Sequence, residues 1–272
     1  MTKSKKSAIK PLALTKKIKK PKQKERQKRQ KQKFLVTDCD GTFLVLSLLL
    51  FLIEILIELR IGNFKPEIKK LWEKEYFEYL NNEGTYDAYI NKVVEVFLLN
   101  IAGLNEYTIT CCAKIAVEKY KSRVRIYTRD LILNCKEDYF LILLSHSPNM
   151  IVELFAKAWG FDVWVGTNYI TDENGIYTGK AILPHKGEKL AELIEEHHLT
   201  LTGSIAIGDT TLDIPMFEKV DRAICINPPW ELLQIAMQKS WKVVVEYRDT
   251  FMVMPDGKAL GVNFYQLNKN GS

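Results

Sequence analysis

KFLVTDCDGT, residues 33–42, decides how the rest of this chain is read. Phe34, Leu35, Val36 and Thr37 form an uncharged run too short for a helix and stopped by a turn, which predicts a buried strand. The turn, Asp38-Cys39-Asp40-Gly41-Thr42, sets two carboxylates two positions apart at the carboxyl end of that strand. Neighbouring carboxylates repel unless a cation intervenes, and a hard divalent ion with oxygen ligands relieves the repulsion. Gly41 and Thr42 favour a tight turn whose main-chain N–H groups are free to cradle phosphate oxygens. In isolation these residues also describe a solvated turn, so what accompanies them decides between the two.

Three more apolar runs end in the same way. YFLILL (139–144) runs into Ser145-His146-Ser147-Pro148, SIAI (204–207) into Gly208-Asp209-Thr210, and RAICI (222–226) into Asn227-Pro228-Pro229. Helical spacing follows each of them, at 149–159, 187–197 and 212–220, an alternation that predicts an α/β domain with a mostly parallel sheet. WKVVVEY (241–247) reads as a last strand, and the alternating stretch 162–179 with its Glu173-Asn174-Gly175 turn as a small hairpin. Ligands of open parallel sheets bind at the carboxyl ends of the strands, where Asp38, Ser145 and Asp209 all fall. Between the first two strands lie about 90 residues with helical apolar spacing and only Pro66 to interrupt them. That is too long for a loop and predicts an inserted helical subdomain.

Charge divides the chain. Residues 1–33 carry 15 Lys or Arg and one acid, Glu25, leaving 24 bases against 32 acids in residues 34–272; a +14 tail is therefore joined to a body of net −8. The tail has almost no large apolar residues with which to offset ordering entropy and is expected to be disordered. Such an arm contacts RNA, contacts acidic lipid, or only adds charge, and composition leaves the three open. The uncharged run 43–53 stops at Glu54, well short of the roughly 20 residues a span requires. A buried helix is expected there, with a helix lying on a membrane surface as the alternative. Five cysteines without metal-type spacing, and no secretory leader, point to the cytoplasm, with peripheral membrane contact as the other reading.

Asp38-x-Asp40-Gly41-Thr42, the strand ending at Ser145, Lys186, and Gly208-Asp209-Thr210-Thr211-Leu212-Asp213 resemble, in order, the four motifs of the haloacid dehalogenase-like hydrolases. Ser145-x-Ser147-Pro148, Lys186-Gly187-Glu188, Asp213-Ile214-Pro215-Met216 and Asn227-Pro228 are similar to the phosphoserine-phosphatase-like branch, whose helical cap is inserted shortly after the first motif. The fold expected is α/β: a Rossmann-like three-layer core on a parallel sheet, at 34–43 and 131–247, with a helical cap at 44–130. The basic tail takes 1–33, and 248–272 forms a C-terminal extension to which no structure is assigned beyond a turn at Pro255-Asp256-Gly257.

The resemblance implies a Mg²⁺-dependent phosphomonoesterase. Asp38 would attack phosphorus and form an aspartyl-phosphate; Asp40 would protonate the leaving alcohol and then activate water. Ser145 and Lys186 would hold the transferred phosphoryl oxygens, with Gly41, Thr42 and His146 contributing to phosphate binding. Asp38, the main-chain carbonyl of Asp40 and Asp209 would bind the metal, and Asp213 would support that site or orient Lys186. Phosphoserine phosphatases carry a cap glutamate nine residues after the nucleophile, where this chain has Ser47. A small or lipid-derived phosphomonoester is therefore the expected substrate class. A phosphotransferase on the same scaffold is one alternative, and a polyanion-binding protein using the basic arm another.

Overall fold

A computed structural model describes residues 32–254. Its sheet contains β1 (Lys33–Thr37), β2 (Tyr139–Pro148), β3 (Val163–Thr171), β4 (Tyr177–Ile182), β5 (Thr200–Gly208), β6 (Arg222–Ile226), β7 (Lys242–Tyr247) and β8 (Thr250–Met254). They lie in the order β4-β3-β2-β1-β5-β6-β7-β8. The six strands from β3 to β7 run parallel, while β4 and β8 close the two edges antiparallel.

The period of two along each strand makes the layers. Leu35, Leu141, Leu143, Ile205, Ile207 and Ile224 face one core, whereas Phe34, Val36, Ile142, Leu144, Ala206 and Cys225 face another. The second face is covered by α7 (Lys186–Glu196), α8 (Ile214–Phe217) and α9 (Trp230–Lys239). The first face receives α6 (Asn149–Trp159) and, of the helices between β1 and β2, α1 (Leu48–Glu58), α3 (Tyr86–Ile101), α4 (Glu106–Tyr120) and α5 (Ile126–Cys135), while α2 (Glu73–Leu80) adds no residue to that core. In α1, eight of eleven side chains are buried, because only the stripe Leu50, Glu54, Glu58, spaced four apart, turns away from the interior. Among the described residues no helix is long and apolar enough to cross a membrane.

Several boundaries differ from those read in the sequence. β1 begins at Lys33, inside the segment assigned to the tail; the rest of that segment up to residue 31, and residues 255–272, lie outside the described residues. α5 runs across the expected cap boundary at 130. β2 continues past its apolar run to Pro148, because β3 goes on offering partners: Pro148 pairs with Thr167, whose hydroxyl donates to the His146 carbonyl at 2.6 Å. The helix expected over 212–220 is a single 3-10 turn at Thr211–Asp213 followed by the four-residue α8. Residues 250–254, read as part of an unassigned extension, pair with β7 as an edge strand.

The chain leaves β1 toward β2 on one side, and β5 lies on the other. That reversal opens a crevice at the carboxyl ends of β1, β2 and β5, where parallel sheets bind their ligands.

Candidate active site

Asp38 continues the β1 ladder, its N–H donating to the Ile207 carbonyl at 2.9 Å, so its main chain is fixed by the sheet. The loop then doubles back at once: Phe43 and Leu44 both donate to the Cys39 carbonyl. Gly41 has φ +79°, and a side chain there would run into the Asp209 carboxylate, so glycine serves both the turn and the approach of β5. Thr42 is fully buried, with its hydroxyl 2.5 Å from Asp209 Oδ1 and 3.3 Å from Asp38 Oδ2. Its side chain is thus committed to spacing two carboxylates, leaving the main chain for any anion. Cys39, between the aspartates, points into the core.

Lys186 opens α7 and donates to Asp38 Oδ1 at 2.6 Å and Asp213 Oδ1 at 2.7 Å, all three side chains buried. The other oxygen of Asp213 accepts from the N–H groups of Asp209 and Thr210, both at 3.0 Å, folding the loop after β5 around itself. A Cβ on Gly208 would lie 2.5 Å from Asp213 Cγ, so only glycine admits that carboxylate. Carboxylate oxygens of Asp38, Asp209 and Asp213 lie within 4.8 Å of one another.

Crowding sets the electrostatics. Burial raises the Asp38 pKa; Lys186 opposes the rise, and Asp213, Asp209 and Asp40 add to it. Asp209 is pushed up to about 7, first by burial and then by Asp213, against the hydrogen bond from Thr42. Burial disfavours the Lys186 ammonium, but Asp213 and Asp38 outweigh it and hold the pKa above the ordinary lysine value.

Asp40 lies outside this cluster of carboxylates. Its Oδ1 accepts from the Leu48 N–H at the start of α1 at 2.8 Å, and its Oδ2 from the hydroxyls of Ser147 at 2.5 Å and Ser47 at 3.3 Å. Burial raises its pKa while these donors, Ser147 foremost, hold the rise back. A half-buried carboxyl at a helix start, held by these donors, is suited to give and take a proton.

Of the residues singled out in the sequence, Asp38, Lys186, Asp209 and Asp213 converge directly, with Gly41 and Thr42 forming the turn beneath them. Ser145 is fully buried at the crevice, its hydroxyl accepting from the Ser147 N–H at 3.0 Å. The His146 ring turns to the Pro184 carbonyl at 3.2 Å, and its own carbonyl accepts from the Thr167 hydroxyl. Glu54 pairs with Lys69 and Glu58 with Lys119, both pairs at exposed positions.

Sequence reasoning missed four participants. Ser147 holds Asp40, and its signal was its place two residues beyond Ser145 on the same side of β2. Arg125, before α5, donates through Nε to the Gly41 carbonyl, and no local pattern announces it. Glu246 on β7 accepts from the Ile126 and Tyr127 N–H groups at 3.1 and 2.9 Å. A lone acid in an apolar strand needs donors, which was its signal. Tyr86 opens α3 on the wall of the same crevice; burial, then the charges of Asp40 and Asp209, push its phenol above the ordinary range.

Comparison with known proteins places this geometry. A Streptomyces azureus protein named for inhibition of morphological differentiation is 29% identical over 112 residues, 40% of this chain and 40% of that protein. A Mycobacterium tuberculosis protein named as a probable phosphatase is 32% identical over 108 residues, 38% of this chain and 37% of its own. The match thus spans well under half the length of these relatives. Among solved structures, a Bordetella pertussis Tohama I protein of unknown function superposes with TM-score 0.63 at 19% identity, covering 79% of this chain and 98% of the other. A phosphoserine phosphatase carrying an analogue of its phospho-aspartyl intermediate gives 0.54 at 19%, covering 81% and 96%. At such identities these two establish the shared fold. The model of the haloacid dehalogenase-like hydrolases matches residues 35–218, a span that takes in Asp38, Ser145, Lys186 and Asp213, and this chain belongs to that family.

Proposed function

We propose that this chain is a Mg²⁺-dependent phosphomonoesterase working through an aspartyl-phosphate on Asp38. One observation carries the reading: three carboxylates are closely set, and the one ammonium bonded among them, Lys186, reaches only Asp38 and Asp213. Such a set lacks positive charge, and its donors are all hard oxygens, which fits a divalent cation of the Mg²⁺ type. Asp38, Asp209 and the main-chain carbonyl of Asp40 would hold it; Asp213, already turned to Lys186 and the loop amides, fixes the ammonium. Bound there, Mg²⁺ would supply charge neutralisation to the phosphoryl oxygens.

The chain's own residues do the rest. An Asp38 oxygen attacks phosphorus as the ester P–O bond breaks, and Asp40 passes its proton to the departing alkoxide. Asp40, now ionised, takes a proton from water, whose oxygen attacks the phosphoryl group and frees the Asp38 carboxylate. Lys186, Ser145 and the N–H groups of the 38–42 turn steady the transferred oxygens. The name borne by the Mycobacterium tuberculosis relative supports the same chemistry.

The test is release of phosphate from p-nitrophenyl phosphate and a phosphomonoester panel. Expected are activation by Mg²⁺, loss with a chelator, and a fall of about a thousandfold or more in Asp38→Asn. A hydroxylamine-labile phosphorylated protein should be trapped with labelled substrate. Full activity in Asp38→Asn, or none with Mg²⁺ on any ester, overturns the reading; phosphate delivered to added alcohols instead of water would make the enzyme a phosphotransferase.

A further inference from the structure

From the carboxyl end of β5 a cavity of about 1090 Å³ runs between α1, α2 and α3. Its inner end is Gly41, Asp209 and Thr210; its walls are aliphatic on the α1 side, with Leu46, Leu50 and Ile53, and aromatic on the α2 and α3 side. Tyr76, Tyr79 and Tyr86 gather around Tyr89 with ring centroids 5.3 to 6.3 Å from it. No residue of α2 is buried, and Phe77 and Leu80 remain 51% exposed on it. A helix that packs none of its apolar side chains into the core, yet lines a cavity with them, is serving the cavity.

Charged groups also line the cavity, with Glu73, Asp87 and Glu231 exposed among them. Glu54 is neutralised by Lys69 at 3.1 Å. Glu73, Asp87 and Glu231 each stand in the first turn of a helix, where a negative charge answers the exposed N–H groups. Arg125 is turned to the Gly41 carbonyl. Ser47, at the position where a glutamate would read an amine, is buried and turned to Asp40.

We infer that the alcohol of the substrate is uncharged and largely apolar, an alkyl or aryl group seated between α1 and the α2–α3 tyrosines while its phosphate reaches Asp38. The inference rests on the phosphomonoesterase reading and narrows it. It predicts poor turnover of phosphoserine and other small zwitterions, because Ser47, at the position expected to read an amine, is turned to Asp40 and the walls are mostly apolar.

The test compares butyl, hexyl, octyl and decyl phosphate below their micellar concentrations with 1-naphthyl phosphate, O-phosphoserine and phosphocholine, p-nitrophenyl phosphate serving as the general phosphatase readout. kcat/KM is expected to rise about fourfold per methylene over the part of the chain the cavity covers. The naphthyl arm separates a flat ring from a flexible chain. Phe77→Asp and Leu46→Asp, both at exposed positions, should each lower the decyl-to-butyl ratio of kcat/KM at least tenfold. A flat alkyl series, or preference for phosphoserine or phosphocholine, overturns the inference while leaving the phosphatase reading intact. Failure on p-nitrophenyl phosphate counts against the phosphatase reading. Calorimetry with decyl- and butylphosphonate then tests the cavity directly: tighter decylphosphonate binding upholds it, and equal binding refutes it.

Discussion

Asp40 has to be an acid in one half of the proposed cycle and a base in the other, and its surroundings bear on both. Burial favours its protonated form, while the Ser147 hydroxyl, the Leu48 N–H and the Ser47 hydroxyl favour the ionised one. Ser147→Ala removes a donor to the carboxylate, so the Asp40 pKa must rise. The alkaline limb of kcat/KM, which reports loss of the proton that the leaving alcohol needs, should then move to higher pH, with kcat reduced about tenfold. The same change strips the Leu49 N–H of its partner, a cost of about 1–3 kcal/mol readable in thermal melting. A limb that stays in place while stability falls would make Ser147 merely structural. At this scale Asp38 and Asp209 were legible because each stands where an apolar run ends, whereas Lys186 and Asp213 were legible only through the order of the four motifs. Ser147 escaped because β2 outlasts its apolar run, and Arg125 because only tertiary structure brings it to Gly41.

Elements carry the site as a chain of clamps. α5 has no capping side chain of its own at Arg125, and Glu246 from β7 caps it across the fold. Asn227, at the end of β6 with φ +45°, grips the main chain of Glu246 from both sides, accepting from its N–H at 2.7 Å and donating to its carbonyl at 3.2 Å. Glu246 thus sets where α5 begins, and Arg125, one residue earlier, reaches the turn that shapes the Asp38 loop. Glu246→Ala should cost about 1–2 kcal/mol in denaturant unfolding and lower kcat, while Glu246→Gln, which keeps one acceptor, recovers part of both. Equal loss in the two variants would assign the effect to charge instead of capping. Runs of buried apolar residues made β1, β5, β6 and α6 readable. β8 was not, since an edge strand with no buried residue has no burial pattern to announce it. Nor was the shortness of α8, which follows from the folding back of Asp213 and from Pro215.

Charge acts on the molecule as a whole. The body from residue 34 onward carries net −8, and at its centre the fold gathers Asp38, Asp209 and Asp213, so stability and metal affinity are tied to the same protons. Asp209 titrates near 7 in the folded chain, well above its ordinary value of 3.8. A carboxyl raised by folding binds its proton more tightly in the native state than in the unfolded one. Native stability from this group is therefore present below about pH 4 and lost as pH rises to about 7. The loss is on the order of a few kcal/mol, equivalent to several degrees in melting temperature for a chain of this size. At the proposed site Mg²⁺ would need the ionised carboxylate and the native fold, so it should restore what the pH rise removes. Metal-free protein is expected to melt lower at pH 7.5 than at pH 5, and saturating Mg²⁺ to raise the melting temperature more at pH 7.5. Asp209→Asn, which has no proton to lose, should flatten both dependences. An unchanged pH slope in that variant would move the effect to another carboxylate of the cluster, and equal Mg²⁺ stabilisation at the two pH values would sever the metal from Asp209 altogether.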